Sequence, residues 1–589
     1  MYSAMKSIML ILAVLGYACL YQRKSKLPLC FFPITGVSGM TVLVYIFGIA
    51  GFLKAGCYVV AGCGVLLLLR YGSRASLKAV LTDAGMLFTV GAVVWMFVIT
   101  RGTMLSHIDD STHWYRICNA MDCEGAYPST PDIRFYTYVP GTATWIYFVT
   151  RFIGFSIPNC LFAQNALNVL CLTAFFCLPG QSESRAYKAA VSVLIILLGI
   201  VLGAMDVSTY VLLVDTTLGL VALSALVLLL NQGDKDEAFI PLCMVFSFLA
   251  IIKNSALLLI LLTVFLGMRE RRISRKHLGA ECVGWIAIPL LVFLLYSIRA
   301  KLVFGQTAGA SQSLSISRMT QLFLEKNPER ILEIVKSFIG RTVMGEGVLG
   351  AVYLVLLLMG MLMVSSRDFC DREKSRHILH NMGSLLGVFL IYALGLLGTY
   401  LFSMDLEEAE QLACFQRYYG TIVIYLVGYA IYEAMTLVNG LKIGRAFGIS
   451  LALAFVMMLP TEKPLTYVFG QEYDRPQQLF LDGMWRRAEF CLPRNRAYSE
   501  DRYLVLWNDE EFFGYSNNSN RMKWISGVWL RSNDISAYSI KELRKLSVDE
   551  LATLGEYDYV AFMSDMNAEK DLLEPYLDVD DFGIGFWTL

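Results

Sequence analysis

Residues 85–100, GMLFTVGAVVWMFVIT, form an unbroken apolar run, and shortly after it the chain reads Ser106-His107-Ile108-Asp109-Asp110-Ser111-Thr112-His113-Trp114. The run closes a segment of about 80–100. At about 1.5 Å per helical residue, that is enough to cross a hydrocarbon core of about 30 Å. The stretch behind it carries two adjacent carboxylates, two of the chain's five histidines and a tryptophan to the membrane surface. No other stretch is so dense in chemical groups. A spanning helix that delivers a reactive turn to the bilayer edge sets the frame for everything else in the chain.

Similar runs recur outward from this one in both directions. Of 589 residues, 56% are hydrophobic, and mean hydropathy is +0.55. A polytopic α-helical membrane protein follows. Apolar runs predict helices at about 7–21, 31–52, 55–69, 80–100, 159–178, 188–204, 210–230, 238–252, 254–268, 281–300, 348–364, 382–402, 417–436 and 446–459, fourteen in all. The loops holding Arg23, Lys24 and Lys26, then Arg70, Arg74 and Lys78, then Arg269 to Lys276, then Arg367 to His380, fall on one side when the helices alternate. That side is cytoplasmic by the excess of positive charge. The loop 101–157 and everything beyond 460 then face outward, in a multi-pass protein of the cell membrane. Within the loop, Tyr138 to Tyr147 is aromatic and amphipathic, which predicts a helix lying in the interface.

Composition excludes some function classes. Formal net charge is zero and there is no long basic tract, so nucleic acid is not an expected partner. The 14 cysteines lie mostly inside apolar runs and contain no CxxC pair, which signals neither a zinc site nor a redox motif. Cys118 and Cys123 share the outer loop, either free or paired.

From Thr461 the apolar runs shorten to strand length, at Tyr503 to Trp507, Gly527 to Leu530, Tyr557 to Met563 and Gly583 to Leu589. Helix-like segments at Ser539 to Leu546 and Val548 to Leu554 lie between them. The expectation is a membrane domain, 1–460, with an outer functional loop 101–157, and a small extracytoplasmic α/β domain, 461–589.

Four places could carry chemistry. Asp109 and Asp110 are either a solvated pair or an acid/base pair, because like charges side by side push one carboxyl pKa upward, toward what a general base requires. Asp109 is the expected base, with Asp110 orienting it or sharing a divalent metal (Mg or Mn). His107 and His113 are helpers or hydrogen-bonding loop residues, and Trp114 either stacks on a ligand ring or anchors the interface. Arg417, in Phe415-Gln416-Arg417-Tyr418, enters the helix at 417–436 from the outer edge. Its fork suits a phosphate, although a snorkelling arginine would look the same. Lys253 breaks two short apolar runs, where an unpaired charge costs roughly 2.5–3.5 kcal/mol on insertion scales. It is a second phosphate candidate or a hairpin-tip lysine in solvent. Asp215 lies within the run at 210–230 and would pair with Lys253 or Arg417.

The acidic pair after an early transmembrane helix, then His113-Trp114, then Tyr138-Val139-Pro140-Gly141, resembles the GT-C superfamily of membrane glycosyltransferases. The nearest group is that of bacterial protein O-mannosyltransferases and aminoarabinose transferases. Phe415, Arg417 and Tyr418 are similar to an element of uncharacterised bacterial members. The resemblance implies that the acidic pair supplies the catalytic base, although the second residue is more commonly Glu. It also implies a polyprenyl-phosphate-linked sugar donor, an inverting hexosyl or pentosyl transfer, and an acceptor at the outer face. That acceptor would be an envelope polysaccharide, glycolipid or protein. Asp109 and Asp110 would then be catalytic, Arg417 and Lys253 would hold the donor phosphate, and His113, Trp114, Tyr418 and Asp215 would touch substrate. A polysaccharide polymerase or ligase would instead rely on Arg417 and not on the acidic pair. A lipid-linked glycan flippase would show broken helices in two related halves, and the sequence has one candidate break, at Lys253, and no repeat.

Overall fold

The computed structural model describes residues 2–130, 133, 136, 138–178, 211–231, 236–271, 278–305, 316–350, 352–353, 372–438, 475–508 and 519–589. The expected helices at 188–204 and 446–459, and most of that at 348–364, lie outside the described residues. So do Arg272, Arg275, Lys276 and Arg367 of the basic loops.

The N-terminal part is a run of apolar helices: α1 (Tyr2–Lys24), α2 (Phe32–Ile49), α3 (Leu53–Tyr71), α4 (Arg74–Thr82) and α5 (Ala84–Thr100). Asp83 separates the last two. Its carboxylate accepts from the Met86 N–H at 3.1 Å, which caps α5, and the two helices meet at a 67° bend. After the acidic stretch come α6 (Tyr115–Glu124), α7 (Gly141–Ile153) and α8 (Ile157–Leu172). The later membrane helices are α9 (Asp215–Leu230), α10 (Phe239–Ala250), α11 (Ala256–Arg271) and α12 (Leu278–Phe304). Then follow the amphipathic α13 (Ile316–Leu324) and α14 (Pro328–Met344), the long α15 (Arg372–Phe402), the short α16 (Leu406–Glu410) and α17 (Phe415–Val438).

Among the described residues, six helices are long and apolar enough to span a membrane, or seven if the bent α4–α5 pair is one span. Three shorter apolar helices, α9, α10 and most of α11, accompany them. The fourteen spans read from hydropathy are therefore not all full-length crossings. Apolar runs give helix existence well, but α9 to α11 are too short to cross alone. Of these, α9 packs inside the protein, where apolar composition serves a core as readily as a bilayer, while α10 keeps Ile240 and Met244 exposed and α11 keeps Leu261, Phe265 and Met268 exposed.

A second difference concerns α7. It was expected to lie in the interface, but all of its residues except Arg151 and Ile153 are buried. It packs against α1, α2, α6 and α8. Its amphipathic pattern reflects burial among neighbouring helices, and no lipid-facing side is left.

The C-terminal domain begins, within the described residues, with α18 (Arg475–Cys491). It builds a four-stranded sheet from β1 (Tyr503–Trp507), β2 (Ile535–Ser539), β3 (Tyr559–Phe562) and β4 (Gly585–Thr588), in the order β2-β1-β3-β4. β1 pairs in parallel with both neighbours, Tyr503 opposite Ile535 and Tyr559, and β4 runs antiparallel to β3. Every residue of β1 is buried, as a central strand's continuous apolar sequence requires. Helix α19 (Ser519–Leu530) makes the crossover between β1 and β2. Gly527 to Leu530, expected as a strand, is the last turn of that helix. The strand beside it, Ile535–Ser539, carries two serines and an alanine and so had no apolar signature.

This domain sits on α6. The buried Arg116 donates to the Ser532 carbonyl at 2.9 Å and to Asn533 at 3.1 Å, and Asn119 donates to the Val528 carbonyl at 2.8 Å. Arg531, 1% exposed, reaches back to Glu124 at 2.6 Å. These donors meet backbone carbonyls, the Asn533 side-chain oxygen and one carboxylate, as buried polar groups require.

Candidate functional site

The acidic stretch is a helix of unusual winding. From Asp110 to Trp114 the backbone makes a π-helical turn, which runs directly into α6. One wide turn rotates successive side chains away from their α-helical positions, and such turns cluster at functional sites. Here the two adjacent aspartates stand at its start, in different surroundings.

Asp110 turns inward and is fully buried. Its Oδ1 accepts from the Leu212 N–H at 3.0 Å, and its Oδ2 has no hydrogen-bond partner. Burial pushes its pKa well above the ordinary carboxyl value, against the pull of the Leu212 N–H. The group ties the segment leading into α9 to the acidic turn.

Asp109 turns instead into a cluster of charged side chains, the chamber of this site, where it and Arg417 stay 28% and 17% exposed. Its Oδ2 lies 2.7 Å from Arg417 Nη1 and 3.7 Å from His107 Nδ1. Burial works to raise its pKa, but Arg417 outweighs that and holds it below the ordinary carboxylate range. Its own backbone N–H donates to His107 Nδ1 at 3.1 Å, which makes that nitrogen an acceptor and the imidazole neutral. Burial depresses the His107 pKa as well.

Arg417 opens α17, and Asp215 opens α9. The two helices touch closely because Gly219 has no side chain, and a Cβ there would meet the Thr421 carbonyl oxygen at 2.6 Å. Arg417 Nε is thus brought to 3.4 Å from Asp215 Oδ2, an ion-pair distance, yet this buried N–H has no hydrogen-bond partner. Asp215 takes its hydrogen bond from Lys253 Nζ instead, at 2.7 Å on Oδ1. The α9 N-terminus adds a favourable dipole to that carboxylate. The ring of Tyr418 lies under both cations, 4.7 Å from Lys253 Nζ and 5.3 Å from Arg417 Cζ.

Lys253 reaches the chamber because the helix breaks there. α10 ends at Ala250 and α11 starts at Ala256, with the Ala256 N–H bound to the Lys253 carbonyl. The Tyr138-Val139-Pro140-Gly141 element fixes the break from the other side. The Gly141 N–H donates to the Ile251 carbonyl at 2.7 Å, and a Cβ on Gly141 would stand 2.4 Å from that oxygen. Only glycine allows α7 to start on that carbonyl.

The structure thus gathers Asp109, Asp215, Lys253, Arg417 and Tyr418 from four separate stretches into one charged group. His113 and Trp114 are set apart as an aromatic floor. His113 is buried, with its ring edge-on to Trp114 at 4.5 Å and to Tyr138 at 5.5 Å between centroids, and burial lowers its pKa to about 3. Trp114, 9% exposed, is neither at an open interface nor presented to solvent. The sequence reading missed two contributors. Tyr138 belongs to the motif read from sequence but carried no site role there. Arg521, from the C-terminal domain, lines a small gap beside His107 and Trp485, and nothing in its local sequence marks it.

The donor set does not suit a divalent ion shared by Asp109 and Asp110. One carboxylate is clamped by a guanidinium, and the other turns inward onto the Leu212 N–H, so the two do not face one site. Among the described residues no cluster of three or more His, Cys, Asp or Glu has metal-binding geometry. Cys118 and Cys123 are free thiols.

The fold and site together define a polytopic α-helical membrane protein with a charged chamber at one end of its helices, beside a docked α/β domain. No family model matches the chain, and no curated protein matches it. Among solved structures, ArnT from Cupriavidus metallidurans bound to undecaprenyl phosphate is similar at 15% identity and a TM-score of 0.38, over 85% of this chain and 97% of that one. ArnT from the same organism in the apo state is similar at 13% identity and a TM-score of 0.39, over 85% and 96%. Likeness at that level carries no functional inference, and the side chains of the chamber have to supply it.

Proposed function

We propose that this chain is a membrane glycosyltransferase. It takes a sugar from a polyprenyl-phosphate donor and passes it to a hydroxyl or amine of a cell-envelope acceptor, a polysaccharide, glycolipid or protein, at the outer face of the membrane. The observation that carries this reading is the Asp109–Arg417 contact at 2.7 Å beside the unspent Arg417 Nε–H. A base and a phosphate-binding cation are held against each other.

The resting chamber is neutral, two carboxylates against two cations. A carboxylate clamped by arginine is a weak base, because its proton affinity is low. A donor phosphate entering between Arg417 and Lys253 changes that. It takes the Arg417 fork, including the Nε–H that the protein leaves unused, and so releases Asp109. Freed of the cation but still buried, Asp109 gains proton affinity when an acceptor is to be deprotonated.

The acceptor heteroatom then attacks the anomeric carbon from the side opposite the phosphate. The bond from anomeric carbon to phosphate oxygen breaks, the acceptor proton passes to Asp109, and polyprenyl phosphate leaves as a dianion held by Arg417 and Lys253. Charge thus develops where fixed donors already stand. The configuration inverts. Asp215 keeps both cations in place and Tyr418 supports them from below.

The test is transfer of radiolabelled sugar from a polyprenyl-phosphate donor to native membranes containing the acceptor. Asp109→Asn keeps size and hydrogen bonding but removes the base, and a loss of about 10²–10⁴-fold is expected. Unchanged transfer by Asp109→Asn would end the assignment and favour a polymerase or ligase acting through Arg417.

A further inference from the structure

Helix α7 begins at the chamber and ends at a second charged cavity. With 13 residues at about 1.5 Å each, it places the two roughly 20 Å apart. This cavity has a volume of about 610 Å³ and is lined by Lys6, Lys54, Arg151, Arg494 and Arg496, with Asp122 and Glu124 as its acidic residues. The volume falls within the ordinary range for a small-ligand site.

The cavity's charges do not cancel. Asp122 alone serves both Arg151, at 3.5 Å, and Arg494, at 2.9 Å. Glu124 is taken by Arg531, a sixth cation from outside the lining. Among the described residues Lys54 and Arg496 have no ion pair, and Arg151 Nε is buried without a hydrogen-bond partner. Five cations, from α1, α3, α7 and the C-terminal domain, thus line one space with two carboxylates, one of which is taken by Arg531, an excess that self-repulsion opposes unless an anion enters.

The surroundings say what kind of anion. Lys6 stands at the start of α1 beside Met5, Ile8 and Ile11, which are 61%, 55% and 59% exposed. Lys54 starts α3 two residues after Phe52, which is 62% exposed. Both helices qualify as membrane spans, and most of each is uncovered by the protein. Lipid-facing apolar surface therefore runs up to the cationic rim, while Arg494 and Arg496 close the polar side.

We propose that this cavity binds the phosphate of an anionic lipid headgroup, with the acyl chains lying along α1 and α3. The lipid would join the C-terminal domain, through Arg494 and Arg496, to the bilayer at the far end of the helix that shapes the chamber. This inference is independent of the glycosyl-transfer reading, since no lining residue belongs to the chamber.

The experiment uses the full chain in mild detergent, with thermal unfolding followed as phosphatidylglycerol is titrated in, phosphatidylcholine serving as the uncharged-net control. Saturable stabilisation by phosphatidylglycerol and not by phosphatidylcholine is expected. Lys54→Gln with Arg496→Gln removes two exposed, unpaired cations and leaves the fold intact. At roughly fivefold in affinity per surface cation, phosphatidylglycerol should bind about 25-fold more weakly to this double variant. Arg417→Gln should leave the titration unchanged. Undiminished binding by the double variant, or binding lost in Arg417→Gln instead, would overturn the site. Stabilisation saturated by glycerol phosphate, with no further gain from the lipid, would overturn the lipid as its source.

Discussion

Replacing Arg417 by glutamine removes the charge on which the resting state of Asp109 depends. An opposite charge within a few ångströms lowers a carboxyl pKa by about 1–3 units, or roughly 1.4–4 kcal/mol of differential interaction. Arg417 stands at 2.7 Å and hydrogen-bonds to the same oxygen, so the upper part of that range applies. With the cation gone, burial acts on Asp109 almost unopposed, and its pKa rises from below the ordinary carboxylate value to above it. Transfer requires the deprotonated form. The acid limb of the pH profile of kcat/KM, which reports the free enzyme, should therefore move to higher pH by about 1–3 units in Arg417→Gln. At the plateau, loss of a fixed donor to the leaving phosphate should lower kcat/KM by about 10²–10³-fold. Arg417→Lys separates the two effects. The charge stays, so the limb remains near its wild-type position, while the missing fork still costs activity. The assay is labelled-sugar transfer in buffered membranes between pH 4 and 9. A Gln variant whose acid limb coincides with the wild type, or whose plateau falls by less than about threefold, would refute the coupling.

Asp110 should behave in the opposite way to its neighbour. Its pKa is raised in the folded state, so the stability it contributes is full below the ordinary carboxyl pKa and is lost as pH rises toward the folded value. Asp110→Asn imitates the neutral acid and still accepts from Leu212, so it should keep transfer activity and gain stability relative to wild type at neutral pH. Asp110→Ala should lose about 1–3 kcal/mol by leaving that buried N–H unpaired, as denaturant titration will measure. Gly141→Ala places a methyl 2.4 Å from the Ile251 oxygen and must push α7 off the Lys253 break. A cost of about 1–3 kcal/mol and a loss of transfer are expected, read by thermal unfolding and the label assay. Arg531→Ala removes the buried cation that holds Glu124, at roughly 3–5 kcal/mol for a broken buried pair. It should loosen the C-terminal domain, seen as faster hydrogen exchange across α6 and α19 with the membrane helices unchanged.

Much of this was legible in the sequence, and the reason is local. Apolar length and turn charge announce membrane helices one at a time, without reference to partners. The lysine at 253 could be read as a break because a lone charge among apolar residues is costly wherever it falls. The same logic marked Asp215 and Arg417 as residues needing partners. What it could not supply was the packing around each group. Asp109 and Asp110 are adjacent and chemically identical, and only the packing around them sets one against Arg417 as a clamped carboxylate and buries the other against the Leu212 N–H. Nor could it separate a short buried helix from a span, since α9 is as apolar as the lipid-facing ones. The partner choices, Asp109 to Arg417 and Lys253 to Asp215, span hundreds of residues or dozens, and rest on glycines at 141 and 219 whose importance lies in the carbonyl oxygens opposite them. Residue type fixes what each group needs, and only packing decides which group provides it.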